Sequence, residues 1–197
     1  MGNRGTVKVK NNRYSIDGDL HVIYPNSPIF RDDDKLCGVT NPRDMTYIHS
    51  YGGESPFFAG IAEGKLLGTR CDNEKCEDGY KSINVPFRVH CPDCLEKATA
   101  IDMTDVANNT ARIHTFMICE RSGAFNVLDK PIKFINVEFE GVGTILMSYL
   151  LNGDPEIGMR VVPIFCTKAP TYTIVDLAFV PEGTPESDLP EGYTLSK

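Results

Sequence analysis

A chain of 197 residues has room for one domain or two small modules. Its 41% hydrophobic and 24% charged residues suit a globular protein, and a net charge of -7 opposes non-specific attachment to nucleic acid, whose phosphates are held mainly by Lys and Arg. No run approaches the ~20 apolar residues of a membrane span and the start, MGNRGTVKVKNNRYSIDG, has no apolar signal core, which predicts a cytoplasmic protein without membrane attachment.

Residues 1–53 read as an N-terminal extension. TVKVK and LHVIY alternate around the turn residues NNR and DGD, a pattern of short strands or hairpins rather than helix. Asp32, Asp33 and Asp34 read as a solvated acidic loop, because no spaced set of oxygen ligands follows them.

Residues 54–100 change character. Ser55 reads as a helix cap, Pro56 as the first helical position and Gly64 as the stop, with Phe57, Phe58 and Ile61 on one face. KLLGTRC and FRVHC then read as strands, each leading into a cysteine pair: Cys71-x4-Cys76 and, fourteen residues on, Cys91-x2-Cys94. A reducing compartment disfavours structural disulfides, and four thiolates on two adjacent turns match the tetrahedral shell of Zn²⁺. The expected cofactor is therefore a structural zinc ion on Cys71, Cys76, Cys91 and Cys94, in a rubredoxin-like zinc ribbon. Such an ion contributes roughly 10 kcal/mol to a module too small to build a core. Iron with electron transfer and a dithiol redox pair are the alternatives; His90 is the substitute ligand if Cys71 is misplaced across its wider gap. Arg70, Lys75, Lys81 and Arg88 lie near enough in sequence to offset the charge of four thiolates.

Residues 101–181 carry five β-rich runs, ARIHTFMICE, KFINVEFE, GTILMSYLL, MRVVPIFC and TIVDLAFV, which suggest a five-stranded OB-type β-barrel. Pro163 marks its run as an edge strand or a bulge. The tail from residue 182 is rich in Pro, Glu and Gly and is expected to be mobile or ordered only against a partner. The whole reads as a mainly β protein: extension, short helix, ribbon, barrel, tail.

No catalytic set assembles. Cys119 and Cys166 fall in strand runs where cysteine behaves as a small hydrophobe, and Cys37 has no base beside it. His114 reads as a satisfied strand residue, while His21 and His49 have no partner motif. Gly141–Gly143 (GVG) reads as a hairpin turn, since no helix follows it. Nucleic-acid binding is the competing reading: Arg70, Lys75, Lys81, Arg88 and Lys97 give the ribbon a basic tilt, and Phe116, Phe134, Phe139 and Tyr149 are candidate stacking platforms.

The segments SPFFAGIAEGKLLGTRC, HCPDC, the barrel strands and GDPEIGMRVVPIF, in that order, resemble the zinc-ribbon and OB-fold proteins once called domain of unknown function 35. The resemblance spans roughly Ser55 to Gly183 and departs in the wide first cysteine pair and the long extension. It implies a non-catalytic accessory subunit, paired in a hetero-oligomer with a thiolase-fold protein that carries the catalytic Cys and His. The implied chemistry makes or breaks a carbon–carbon bond at an acyl-CoA thioester, with coenzyme A at the complex interface and benzoylsuccinyl-CoA thiolysis in anaerobic toluene breakdown as the particular reaction. Exposed apolar anchors and tails that order on binding suit a subunit interface, so the Phe57 and Phe58 helix and the extended termini are the candidate contact surface, with core packing of Phe57 and Phe58 within the chain as the equal alternative.

Overall fold

The computed structural model describes residues 5–121 and 127–196. The chain divides into two compact units, Met1–Ser50 and Tyr51–Lys197.

The first unit consists of hairpins. Strands β1 (Thr6–Lys10) and β2 (Arg13–Asp17) pair antiparallel through Asn11 and Asn12, both at positive φ (52° and 58°). Two such residues give the turn whose twist matches a hairpin, and Asn tolerates that conformation. Strands β3 (His21–Ile23), β4 (Ser27–Phe30), β5 (Leu36–Thr40) and β6 (Arg43–Met45) form a nested pair, with the β4–β5 hairpin inside the β3–β6 ladder. In the acidic turn, Asp33 is flanked by Arg31 and Lys35, at 3.6 and 3.0 Å.

The second unit opens with a single 3-10 turn, Gly52–Glu54, running straight into α1 (Ser55–Ala62). Ser55 is therefore the first residue of the helix and not its cap; Glu54 holds the cap position without a side-chain hydrogen bond. The stop is as expected. Gly64 sits at φ +81°, and the Gly64 and Lys65 N–H groups donate to the Ile61 and Gly60 carbonyls at 3.0 and 2.8 Å, closing the last turn in a Schellman arrangement. Phe57 and Ile61 point into the core, so Phe57 is packing and not a docking anchor. Phe58, half-buried, stacks on Tyr51 with ring centroids 3.8 Å apart.

Strand β7 (Leu67–Arg70) lies between β8 (Ile83–Asn84) and β9 (Thr99–Asp102). A helix absent from the sequence reading, α2 (Thr104–Thr110), follows. Its run of Asp, Asn and Thr has low helix propensity, and tertiary contacts hold it: Thr104 Oγ1 accepts the Leu66 N–H at 3.0 Å, and Ala107 is fully buried.

All five expected strands form: β10 (Arg112–Cys119), β11 (Ile132–Glu138), β12 (Leu146–Tyr149), β13 (Val161–Cys166) and β14 (Leu177–Pro181). They pair as two sheets, β10-β11-β12 and β14-β13-β15, where β15 is Tyr193–Leu195. Single bridges, Arg112 with Arg160 and Leu150 with Phe179, link the sheets at two seams. One apolar cluster, including Ile113, Val137, Phe165 and Phe179, fills the space between them.

Two expectations fail together at β15. The tail is ordered by the chain itself: β15 pairs with β13, and Leu189, Tyr193 and Leu195 cover a second apolar cluster around Phe134 and Ile164. That addition makes β13 a central strand and not an edge. Pro163 is tolerated because β15 runs only beside Ile164–Cys166, leaving β14 as its one ladder neighbour.

Candidate metal centre

The four cysteines of the two pairs converge. Their sulfurs all lie within 4.8 Å of one another, with Cys71 Sγ 3.8 Å from Cys94 Sγ and Cys76 Sγ 3.9 Å from Cys91 Sγ. A disulfide needs about 2.05 Å. A tetrahedron of thiolates at ~2.3 Å from one ion has edges of about 3.8 Å, so the spacing is that of a metal cage. Cys71, Cys76 and Cys91 are buried and Cys94 is half-buried. His90 is outside the group: it lies exposed, bridging to Lys97 across the knuckle.

The local sequence explains this geometry. The wide first gap is taken up by a turn in which Asn73 Oδ1 accepts the Lys75 N–H at 3.0 Å and the Asn73 carbonyl accepts the Cys76 N–H at 2.9 Å. The Cys71 and Lys81 main chains then close the knuckle, Lys81 N–H donating to the Cys71 carbonyl at 2.8 Å. Gly79 is required by space: a Cβ there stands 2.7 Å from Cys76 Sγ and 2.9 Å from Cys91 Sγ. In the second knuckle, Leu95 N–H donates to the Cys91 carbonyl at 3.0 Å, with Leu95 itself at φ +61°.

The thiols are unevenly poised for ionisation. Burial pushes Cys76 up to about 12, whereas hydrogen bonds from the Asn73 side chain and the Glu96 backbone hold Cys94 down at about 7. At Cys71 the Asn73 N–H works in the same lowering direction, but burial and the neighbouring thiols outweigh it. Four thiolates this close repel, and a dication at their centre removes the conflict. A shell of four cysteines fits zinc, with no position left for water or substrate.

Two of the four basic side chains near the cysteines share one carboxylate. Arg70 and Lys81 are both engaged by Asp72, through Arg70 Nε to Oδ1 at 2.8 Å and Lys81 Nζ to Oδ1 at 3.0 Å. These contacts hold the Asp72 carboxyl below the ordinary carboxylate range. Among the candidate stacking aromatics, Phe134, Phe139 and Tyr149 are buried, and Phe116 alone is exposed. A nucleic-acid groove loses most of its platform.

Thr144 ties the ribbon to the sheets: its hydroxyl donates to the Val85 carbonyl and accepts the Val85 N–H, both at 2.8 Å. Gly143, in the expected GVG turn, donates its N–H to the Ile83 carbonyl at 3.2 Å. His114 Nδ1 lies 2.8 Å from Glu138 Oε2 on the neighbouring strand, exposed. Cys37, Cys119 and Cys166 are dispersed, bonded to the carbonyls of Ile29, Arg121 and Ala169. Asn73, Gly79 and Thr144 escaped the sequence reading; only Gly79, three residues after a ligand cysteine, left a signal. Among the described residues no helix is long and apolar enough to cross a membrane.

No protein-family model and no curated protein matches the sequence. Solved structures do. One described as an Ltp2-ChsH2(DUF35) aldolase aligns with 69% of this chain and 97% of its own, at 20% identity and a TM-score of 0.50. A DUF35-family protein of unknown function from Sulfolobus solfataricus aligns with 68% of this chain and 90% of its own, at 20% identity and a TM-score of 0.47. In fold, then, this mainly β chain resembles the DUF35 component of that aldolase structure.

Proposed function

We propose that the chain is a zinc-binding accessory subunit of a hetero-oligomeric complex, in which a thiolase-fold partner carries the catalytic Cys and His. The observation that carries this reading is the closed four-cysteine cage in a fold shared with the Ltp2-ChsH2(DUF35) aldolase. A filled shell stabilises and does not catalyse, and the remaining cysteines and His114 are bonded elsewhere, so that among the described residues they form no nucleophile and base pair. The chemistry assigned to the complex is carbon–carbon bond cleavage or formation at an acyl-CoA thioester, with coenzyme A at the subunit interface. Benzoylsuccinyl-CoA thiolysis is the specific substrate reading, supported by the family resemblance alone.

Co-expression with a thiolase-fold protein tests it. The expected result is a stable complex, one zinc per copy of this chain by elemental analysis, and thiolysis or its reverse only when both chains are present. Turnover by this chain alone, or a colour and iron content typical of an iron–thiolate centre, overturns it.

A further inference from the structure

The first unit buries nothing. None of its described residues is buried, although it holds thirteen of the 23 large hydrophobic side chains exposed among the described residues. Two-stranded ribbons are marginally stable in water by themselves, so a chain that spends a whole unit on them needs a surface to cover them.

The strand registers show which surface. In β1–β2, Val7 faces Ile16 and Val9 faces Tyr14, while Thr6, Lys8 and Lys10 pair with Asp17, Ser15 and Arg13 on the opposite side. In β4–β5, Pro28 faces Val39 and, past a bulge that leaves Cys37 unpaired, Phe30 faces Leu36 on the same side, with Ile29 and Gly38 paired on the other. Each hairpin gathers most of its large apolar side chains on one face. Val9, Phe30 and Leu36 are 61%, 57% and 64% exposed. Seven large side chains on the two faces, at about 100 Å² each, leave roughly 700 Å² in water, close to the ~800 Å² per partner of a standard interface.

We infer that this unit is a homodimerisation arm, whose apolar hairpin faces are covered by the same faces of a second copy of the chain. A two-fold contact brings one patch against itself, so each face meets a surface as apolar as its own without any further design. Charge agrees. The arm has seven Lys and Arg against six Asp, a net +1, whereas the rest of the chain has thirteen against 21 Asp and Glu, a net -8. Near-neutral arms can meet where acidic bodies repel. This assigns the N-terminal extension to a second copy of the chain and not, as the sequence suggested, to the catalytic partner, and it does not depend on the proposed function.

Light scattering of the full chain, alone and zinc-loaded, over about 1 to 100 μM tests it. The expected mass is twice 21.8 kDa. Val9→Lys and Phe30→Lys, both at exposed positions, should raise the dimer dissociation constant at least ~100-fold and abolish amide protection in residues 5–48, leaving zinc content and the protection of residues 130–180 unchanged. A monomer at all concentrations overturns the inference. So does a dimer indifferent to both substitutions, a monomer with a protected arm, which means that the arm folds on its own body, or protection that appears only when a thiolase-fold protein is added.

Discussion

The two units of this protein use the same strand alternation to opposite ends. In β11 of the second unit both faces are covered, Ile135 and Val137 toward one apolar cluster and Ile132 and Phe134 toward the other, whereas β1 and β2 of the first unit bury neither face. The second unit closes its core with elements of low intrinsic propensity, such as α2 and β15, because each covers apolar surface worth about 25 cal/mol per Å². The first has good turns and clean registers but no third layer. Local pattern makes a hairpin; burial decides whether it is a core or an interface.

The contrast can be broken hardest at the metal cage. Removing the ion with a strong chelator, or Cys76→Ala, should cost on the order of 10 kcal/mol of apparent ribbon stability and abolish amide protection from Cys71 to Ala98, leaving the arm's hairpin spectrum unchanged. Next comes the core. Phe179, fully buried, should lose about 3–5 kcal/mol in denaturant melts when replaced by Ala. A loss under about 1 kcal/mol would mean that the sheets do not pack as described. Buried Asp176 accepts hydrogen bonds from Thr171 N–H and Oγ1, both at 2.8 Å, and from Thr173 N–H at 3.3 Å, so Asp176→Ala should cost about 2–3 kcal/mol by leaving these donors unmatched. Tyr193→Phe removes a hydroxyl 2.6 Å from that of Tyr149 and 2.8 Å from the Val175 carbonyl, and should cost about 1 kcal/mol, read most directly as faster exchange in β15. Val39→Ala in the arm should change monomer stability by less than about 0.5 kcal/mol, measured at concentrations too low for association.

Much of the second unit was legible because its signals are local. The Phe57, Phe58 and Ile61 spacing marked α1, the five β-branched runs marked β10 to β14, and the two cysteine pairs marked the cage. The misses share a cause. The α2 run DVANNT has no strong period, and the tail has the composition of a disordered segment; both are held by partners distant in sequence, Leu66 for Thr104 and Phe165 for Thr194. Ser55 looked like a cap because Pro56 follows it, but the 3-10 turn ahead extended the helix by one residue. Asp72, two residues from Arg70 and nine from Lys81, drew no notice in the sequence, because only the folded knuckle brings it to both.

By itself the sequence determined which residues alternate, where the chain turns and which four thiols could share an ion, since each depends on neighbours within one strand, turn or knuckle. Only the tertiary structure decided that the tail becomes a strand, that Pro163 sits in a central one, and that three of four candidate stacking aromatics are core while the arm's apolar faces stay open. Those outcomes depend on which surfaces meet across the chain, and burial free energy belongs to the pair of surfaces and not to either segment alone.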